Sequence, residues 1–247
     1  MKQDTSTSII HETTIGDCRL ILGNSLDVLP GLGRFDCVVT DPPYRLVSGG
    51  NSTGEMGGCF SKDRYDNSGS IVDCDIDWSD WIPILDSVMA SRSHGYIMSN
   101  NRHVANCMNA VEAAGFHFHN LLVWDKRTAT PNRWYMKNCE FTVFFSKGKA
   151  FSINGCGAKQ LVHVPARDIS DHPTEKPVAL MEHYIRQSTQ PGDSVLDPFT
   201  GVGSTAVAAI RSGRRFTGIE INEKWYRIAC QRCQYEADNL MHAQSLL

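Results

Sequence analysis

No stretch of this 247-residue chain is apolar for long enough to span a membrane, and its first ten residues hold no hydrophobic core of a secretion signal. Cytoplasm is therefore the expected compartment, with no membrane partner. Charge of one sign is scarce too: the net charge is −3 and the pI is near 6.3. That excludes a uniformly basic coat and a polyacidic tail. No internal repeat and no low-complexity segment is found, which excludes solenoids and arrays. Cysteine occurs nine times, an odd number at irregular spacing, and fits reduced thiols better than a disulfide framework. Cys230 and Cys233 form a C-x-x-C, but with no second pair it does not read as a zinc site, and no metal is expected.

What is present is ordinary in bulk, with 41% apolar and 21% charged residues, and long enough for one α/β domain over residues 1–247. Strands are expected at Cys18–Leu22, Phe35–Thr40, Gly95–Ser99, Leu121–Trp124, Phe141–Phe145, Val195–Leu196 and Arg215–Ile221. Helices are expected over Trp78–Ser91, Arg102–Ala114, Thr174–Ser188 (Thr174 as cap, Pro177 in the first turn), Ser204–Ile210 and Trp225–Asn239. Ser48–Ser70, rich in Gly, Ser and Asn, reads as a long loop of the kind that serves as lid or binding element. Alternation of strands and helices predicts a mainly parallel sheet covered on both faces. Such sheets bind ligands beyond the carboxyl ends of their strands.

Charge is unevenly spread. From Trp124 to Arg167 eight basic residues stand against only Asp125 and Glu140, whereas Phe60–Asp86 is strongly acidic. One basic surface on an acidic body suffices for phosphate contacts.

Two motifs carry chemistry. Asp41-Pro42-Pro43-Tyr44 directly follows the apolar run Phe35–Thr40. The amino nitrogen of adenine or cytosine is a poor nucleophile, because its lone pair is delocalised into the ring. The Asp41 carboxylate and the Pro42 carbonyl can each accept one N–H, favouring a pyramidal nitrogen, while Tyr44 offers a face for stacking the base. Later, Asp197-Pro198-Phe199-Thr200-Gly201-Val202-Gly203-Ser204-Thr205 forms a glycine-rich turn before a helix. Gly201 permits the tight turn, Gly203 close approach of a cofactor, and Glu220 can bind a ribose diol. A nicotinamide dehydrogenase would share this pattern. After Glu220, however, only Ile221–Leu247 remain, room for one helix, so the rest of the sheet must come from upstream.

With Gly16-Asp17, Asp41–Tyr44, His172-Pro173-Thr174-Glu175-Lys176-Pro177, Asp197–Thr205 and Glu220 in this order, the chain resembles the β-group DNA amino-methyltransferases, which use S-adenosylmethionine. The resemblance implies a Rossmann-like methyltransferase sheet, circularly ordered with the catalytic half first. It implies that Asp17 and Cys18 lie against the cofactor's adenine. His172, Thr174 and Lys176 would meet its methionine part, Asp197 and Phe199 would line the pocket, and Gly201, Gly203, Ser204 and Thr205 would wrap the methionine end. Glu220 would hold the ribose, and Asp41, with Pro42 and Tyr44, the target amine near the sulfonium. Asp at position 41 resembles the N6-adenine members more than the N4-cytosine ones. Larger members carry an inserted or appended recognition domain, for which this chain has little room. Readout of double-stranded DNA would then fall to residues 45–75 and 125–171, including Arg45, Lys126, Arg127, Arg133 and Lys137, or to a second subunit in a homodimer. The expected function is site-specific DNA methylation in restriction-modification. The alternatives are an N4-cytosine enzyme, an amine methyltransferase acting on RNA or a protein glutamine, and a DNA-binding subunit that has lost activity.

Overall fold

The β-branched and aliphatic runs form a nine-stranded sheet in a computed structural model that describes residues 9–43, 46–47, 70–72, 76–130, 134–149, 151–165 and 175–245. In chain order the strands and helices are β1 (Ile9–Ile15), β2 (Cys18–Gly23), α1 (Ser25–Val28), β3 (Phe35–Thr40), β4 (Leu46–Val47), β5 (Ser70–Val72), α2 (Trp78–Trp81), α3 (Leu85–Val88), β6 (Met89–Ser99), α4 (Val104–Ala113), β7 (His117–Thr130), β8 (Lys137–Lys147), β9 (Leu161–His163), α5 (Val178–Ser188), β10 (Ser194–Asp197), α6 (Ser204–Arg211), β11 (Arg215–Glu220) and α7 (Glu223–Ser245). The sheet order is β1-β2-β11-β10-β3-β6-β8-β7-β9. The run from β2 to β6 is parallel, as is the β7–β9 pair, while β1, and β8 against β6 and β7, pair antiparallel.

Residues Pro43–Asp77 form a second compact unit, in which β4 and β5 make a short antiparallel pair. The long loop expected over Ser48–Ser70 lies, but for its last residue, outside the described residues.

Side chains alternate between the two faces of the sheet, as a period of two requires. Leu20, Leu22, Cys37, Val39, Tyr96 and Met98 pack into one core with α5, α6 and α7. Ile21, Val38 and Ile97, between them in sequence, are equally buried. On that second side α1, α2 and α4 lie against one another. The expected doubly covered, mainly parallel sheet is what forms.

Two expectations are corrected. The helix expected over Trp78–Ser91 is a chain of short turns, α2, a 3-10 turn at Ile82–Ile84 and α3, and its last residues belong to β6. Trp78, Trp81, Ile82, Leu85 and Val88 are buried at helical spacing, but Pro83 lacks the N–H that a continuous helix needs, and Met89 pairs with Phe35 instead. The helix expected from Thr174 begins at Val178 with Pro177 as its cap, and Thr174 lies outside the described residues. Strands β1 and β9, with no clear apolar alternation, escaped the sequence reading. Among the described residues no helix is long and apolar enough to cross a membrane.

Candidate functional site

Asp41 leaves the carboxyl end of β3, and Asp197 ends β10, the neighbouring parallel strand, with Cys37 opposite Val195 and Val38 opposite Leu196. Adjacent strands thus deliver both motifs to one edge, although Thr40 and Asp197 stand 157 positions apart in sequence. Thr40 Oγ1 donates to Asp197 Oδ1 at 2.6 Å, and the Phe199 N–H donates to the same oxygen at 3.0 Å. Asp197 is only 2% exposed. Burial pushes its carboxyl up to about 6, against the pull of donors from Thr40, Thr205 and the Phe199 amide. The Phe199 ring meets Trp81 edge-on at 5.0 Å.

The chain then turns. Thr200 N–H donates to Ile219 O at 2.9 Å, and its hydroxyl lies where a Cβ on Gly218 would stand, 2.1 Å away. Gly201 adopts φ +54°, with open space where a Cβ would be, and its N–H donates to Glu220 Oε2 at 2.9 Å. Asn222 N–H donates to Glu220 Oε1 at 2.7 Å. Burial raises the Glu220 carboxyl above the usual range while these amides oppose it. Gly203 also has a packing job. Its φ is +85°, and an added Cβ would stand 3.1 Å from Ala229 Cβ, so it lets α6 start close against α7. Ser204 donates to Glu175 Oε1 at 3.1 Å, and Thr205 is buried and bonded to Asp197. Both hydroxyls are spent within the protein.

Lys176 is the departure of most consequence. The resemblance aims it at the cofactor's methionine part. In the structure its Nζ lies against Asp41 Oδ2 and 3.5 Å from Glu140 Oε2, and Glu140 Oε1 is held by Lys126. The Lys176 side chain is 7% exposed. Asp41 Oδ1, by contrast, is buried with no hydrogen-bond partner among the described residues. Burial raises the Asp41 carboxyl, the Lys176 charge opposes it, and the Glu140 charge adds to it. For Glu140 burial acts upward too, but Lys176 and Lys126 outweigh it and hold that carboxyl below its usual range. Glu140 was missed by sequence reasoning; its one signal was being a lone acid, with Asp125, in a basic run.

Other expected residues divide sharply. Asp17 and Cys18 are not at this edge: they begin β2, where Cys18 faces Phe216 and the Asp17 carbonyl accepts from the Phe216 amide. Glu220 faces Leu22, four residues or about 13 Å further on. Gly16-Asp17 thus precedes the amino end of β2, one strand-length from Glu220. The carboxyl end of β2 is Gly23, followed by Asn24, which caps α1 through the Leu26 amide, and Ser25, whose hydroxyl donates to Pro198 O. Pro42 is buried beside Asp41. Tyr44, Arg45, Arg133, His172 and Thr174 lie outside the described residues.

The basic run is not one surface. Lys126 and Arg127 on β7 and Lys137 on β8 sit on the hairpin beyond the Ser99–Phe141 pair, past the carboxyl end of β6. Lys147 faces Ser93 toward the other edge and pairs with Asp86 at 2.9 Å. Arg127 pairs with Asp125 at 3.6 Å, its side chain 64% exposed.

A nucleoside-bearing sulfonium cofactor suits this edge. Glu220 offers acceptor oxygens, Gly201 leaves space, and Asp41, one strand from Gly201 and two from Glu220, presents a buried oxygen with no partner among the described residues. Among the described residues no cluster of His, Cys, Asp and Glu could hold a metal ion.

Comparison with known proteins agrees. A family model described as DNA methylase matches residues 157–231. Type II methyltransferase M2.DpnII of Streptococcus pneumoniae is 29% identical over 224 residues, covering 82% of this chain and 83% of that protein. Type II methyltransferase M2.MboI of Moraxella bovis is 25% identical over 235 residues, 85% of each. Among solved structures, the M1.HpyAVI complex with S-adenosylmethionine superposes with a TM-score of 0.65 at 23% identity, covering 87% of this chain and 99% of that one. The cytosine-N4-specific PvuII DNA methyltransferase reaches 0.70 at 15% identity, covering 91% and 89%.

Proposed function

We propose that this chain, which belongs to the DNA amino-methyltransferases, methylates N6 of adenine in a base extruded from double-stranded DNA. S-adenosylmethionine, when bound, supplies an electrophilic methyl group already activated by its sulfonium. The carrying observation is the state of Asp41: one carboxylate oxygen held by Lys176, the other buried with no partner among the described residues.

An unsatisfied buried acceptor is costly unless something fills it. The exocyclic amine does so, giving one N–H to Asp41 Oδ1 and the other to the Pro42 carbonyl. Lys176 fixes Asp41 and opposes the protonation that burial favours, so the acceptor pair is organised before the base arrives. Burial meanwhile raises the carboxyl's proton affinity, which suits a group beside a nitrogen that must lose a proton as its new N–C bond forms. Glu220 is assigned to the ribose hydroxyls, and Asp197 with Phe199 to the wall between cofactor and base. His172 and Thr174 are assigned to the methionine part and Tyr44 to base stacking, on the family pattern alone. Gly203, Ser204 and Thr205 are assigned to holding the loop rather than touching the ligand.

Adenine is preferred to cytosine because position 41 is Asp. The experiment is nucleoside analysis of unmethylated plasmid DNA after incubation with the protein and labelled S-adenosylmethionine. N6-methyladenine is expected; N4-methylcytosine alone would refute the base assignment, and no transfer would favour an inactive DNA-binding subunit. Lys126, Arg127, Arg133, Lys137 and Arg45 are assigned to DNA. A homodimer would add recognition surface that the short insert lacks, and light scattering with and without DNA tests it.

A further inference from the structure

Just before β8, Trp134, Tyr135 and Met136 face solvent, at 77%, 93% and 58% exposure. Single exposed apolar side chains are common, but three large ones in succession form an exposed patch of the kind that marks an interaction surface. The flanking charges say which. Arg127 on β7 and Lys137 on β8, both exposed, bracket the tip. Rings interleaved with cations fit a nucleic-acid strand, whose bases offer π-faces and whose phosphates offer charge.

Position supports the same partner. The hairpin that ends in this tip also carries Glu140, which reaches Lys176 and through it Asp41. The tip therefore stands off the carboxyl edge from which Asp41 projects. The hairpin is also bent on purpose. Arg127 holds φ +59°, a left-handed conformation that arginine rarely adopts, and its N–H donates to Asp125 Oδ1 at 3.0 Å. At this point the pairing with β8 slips between Asp125 and Thr130. Bulges of this kind re-aim strands beside active sites.

We propose that Trp134 and Tyr135 stack on nucleobases flanking the target base, holding the strand from which that base is extruded. The proposal rests on the DNA methyltransferase reading above and adds a recognition element to it.

The test is affinity for a fluorescein-labelled fragment of unmethylated plasmid DNA, measured by anisotropy at several salt concentrations. The double variant Trp134→Ala/Tyr135→Ala is expected to bind about tenfold or more weakly at every salt, with the slope of log affinity against log salt unchanged, because no phosphate contact is lost. Trp134→Phe/Tyr135→Phe, which keeps both rings, is expected to retain most of the affinity. Unchanged affinity in the alanine pair, or an equal loss in the phenylalanine pair, overturns the stacking role alone. Wild-type protein that neither binds nor methylates the DNA brings down the proposed function and the stacking with it.

Discussion

Lys176 Nζ lies against Oδ2 of Asp41 and 3.5 Å from Oε2 of Glu140, so one buried cation is shared by two carboxylates. Lys126 closes the row from the far side of Glu140. The charges alternate along it: Lys176 and Lys126 lower the Glu140 carboxyl, and Lys176 lowers and Glu140 raises that of Asp41. Asp41, the member placed at the acceptor amine, sits at the end of that row.

This arrangement predicts opposite shifts in the acid limb of the pH profile. Asp41 accepts an N–H more strongly when ionised, and burial has raised its carboxyl while Lys176 opposes the rise. Lys176→Met removes the opposing charge, so the acid limb of kcat/KM moves to higher pH. Glu140→Gln removes a repelling charge and frees Lys176 for Asp41, so the limb moves to lower pH. A pH–rate series on both variants checks the pair; two profiles that superpose on wild type would remove the row from the mechanism.

Asp197 makes a stability prediction whose sign is fixed. Its carboxyl moves from the ordinary 3.8 to about 6 in the folded protein. Between those values the folded state holds a proton that the unfolded state has lost. Stability therefore falls as pH rises through that window and levels off above about 6. The effect is on the order of 2–3 kcal/mol. Urea unfolding from pH 4 to pH 7.5 should show this decline in wild type and a flatter curve in Asp197→Asn.

The two glycines of the turn should fail differently. Gly203→Ala sets a Cβ 3.1 Å from Ala229 at φ +85°, and a loss of about 1–3 kcal/mol in unfolding free energy is expected. Gly201→Ala meets no neighbour but keeps a left-handed backbone at φ +54°, so its stability loss should be about 1 kcal/mol. Because its open space is assigned to the cofactor, its larger effect should be on S-adenosylmethionine affinity. Calorimetric titration beside thermal unfolding separates the two.

DNA affinity should carry the mark of the hairpin's charge. Arg127→Ala with Lys137→Ala is expected to reduce the slope of log affinity against log salt by about two. A slope identical to wild type would place the phosphate contacts elsewhere.

Much of this site was legible in the sequence because its signals are local. An apolar run ending in Asp-Pro-Pro and a Gly-x-Gly turn followed by an acid one strand later each announce a strand end, and order along the chain says which lies first. What stayed hidden depends on pairing partners. Glu140 projects from β8, opposite Trp124, and only the register of the hairpin brings it to Lys176. Asp17 looked apt by its neighbour Gly16, but whether a residue sits at the amino or carboxyl end of β2 is fixed by pairing with β11. The helix expected over Trp78–Ser91 had the right apolar spacing and lost its continuity to Pro83 and to the pull of Met89 into the sheet.

The central claim is that the free oxygen of Asp41 holds the acceptor amine and contributes nothing essential to cofactor affinity. Methyl transfer and S-adenosylmethionine binding measured side by side in Asp41→Ala test it most directly. Turnover reduced by about a hundredfold to a thousandfold or more, with the cofactor Kd within a few-fold of wild type, is the result predicted. Turnover near the wild-type rate, or a loss wholly explained by weakened cofactor binding, would contradict it.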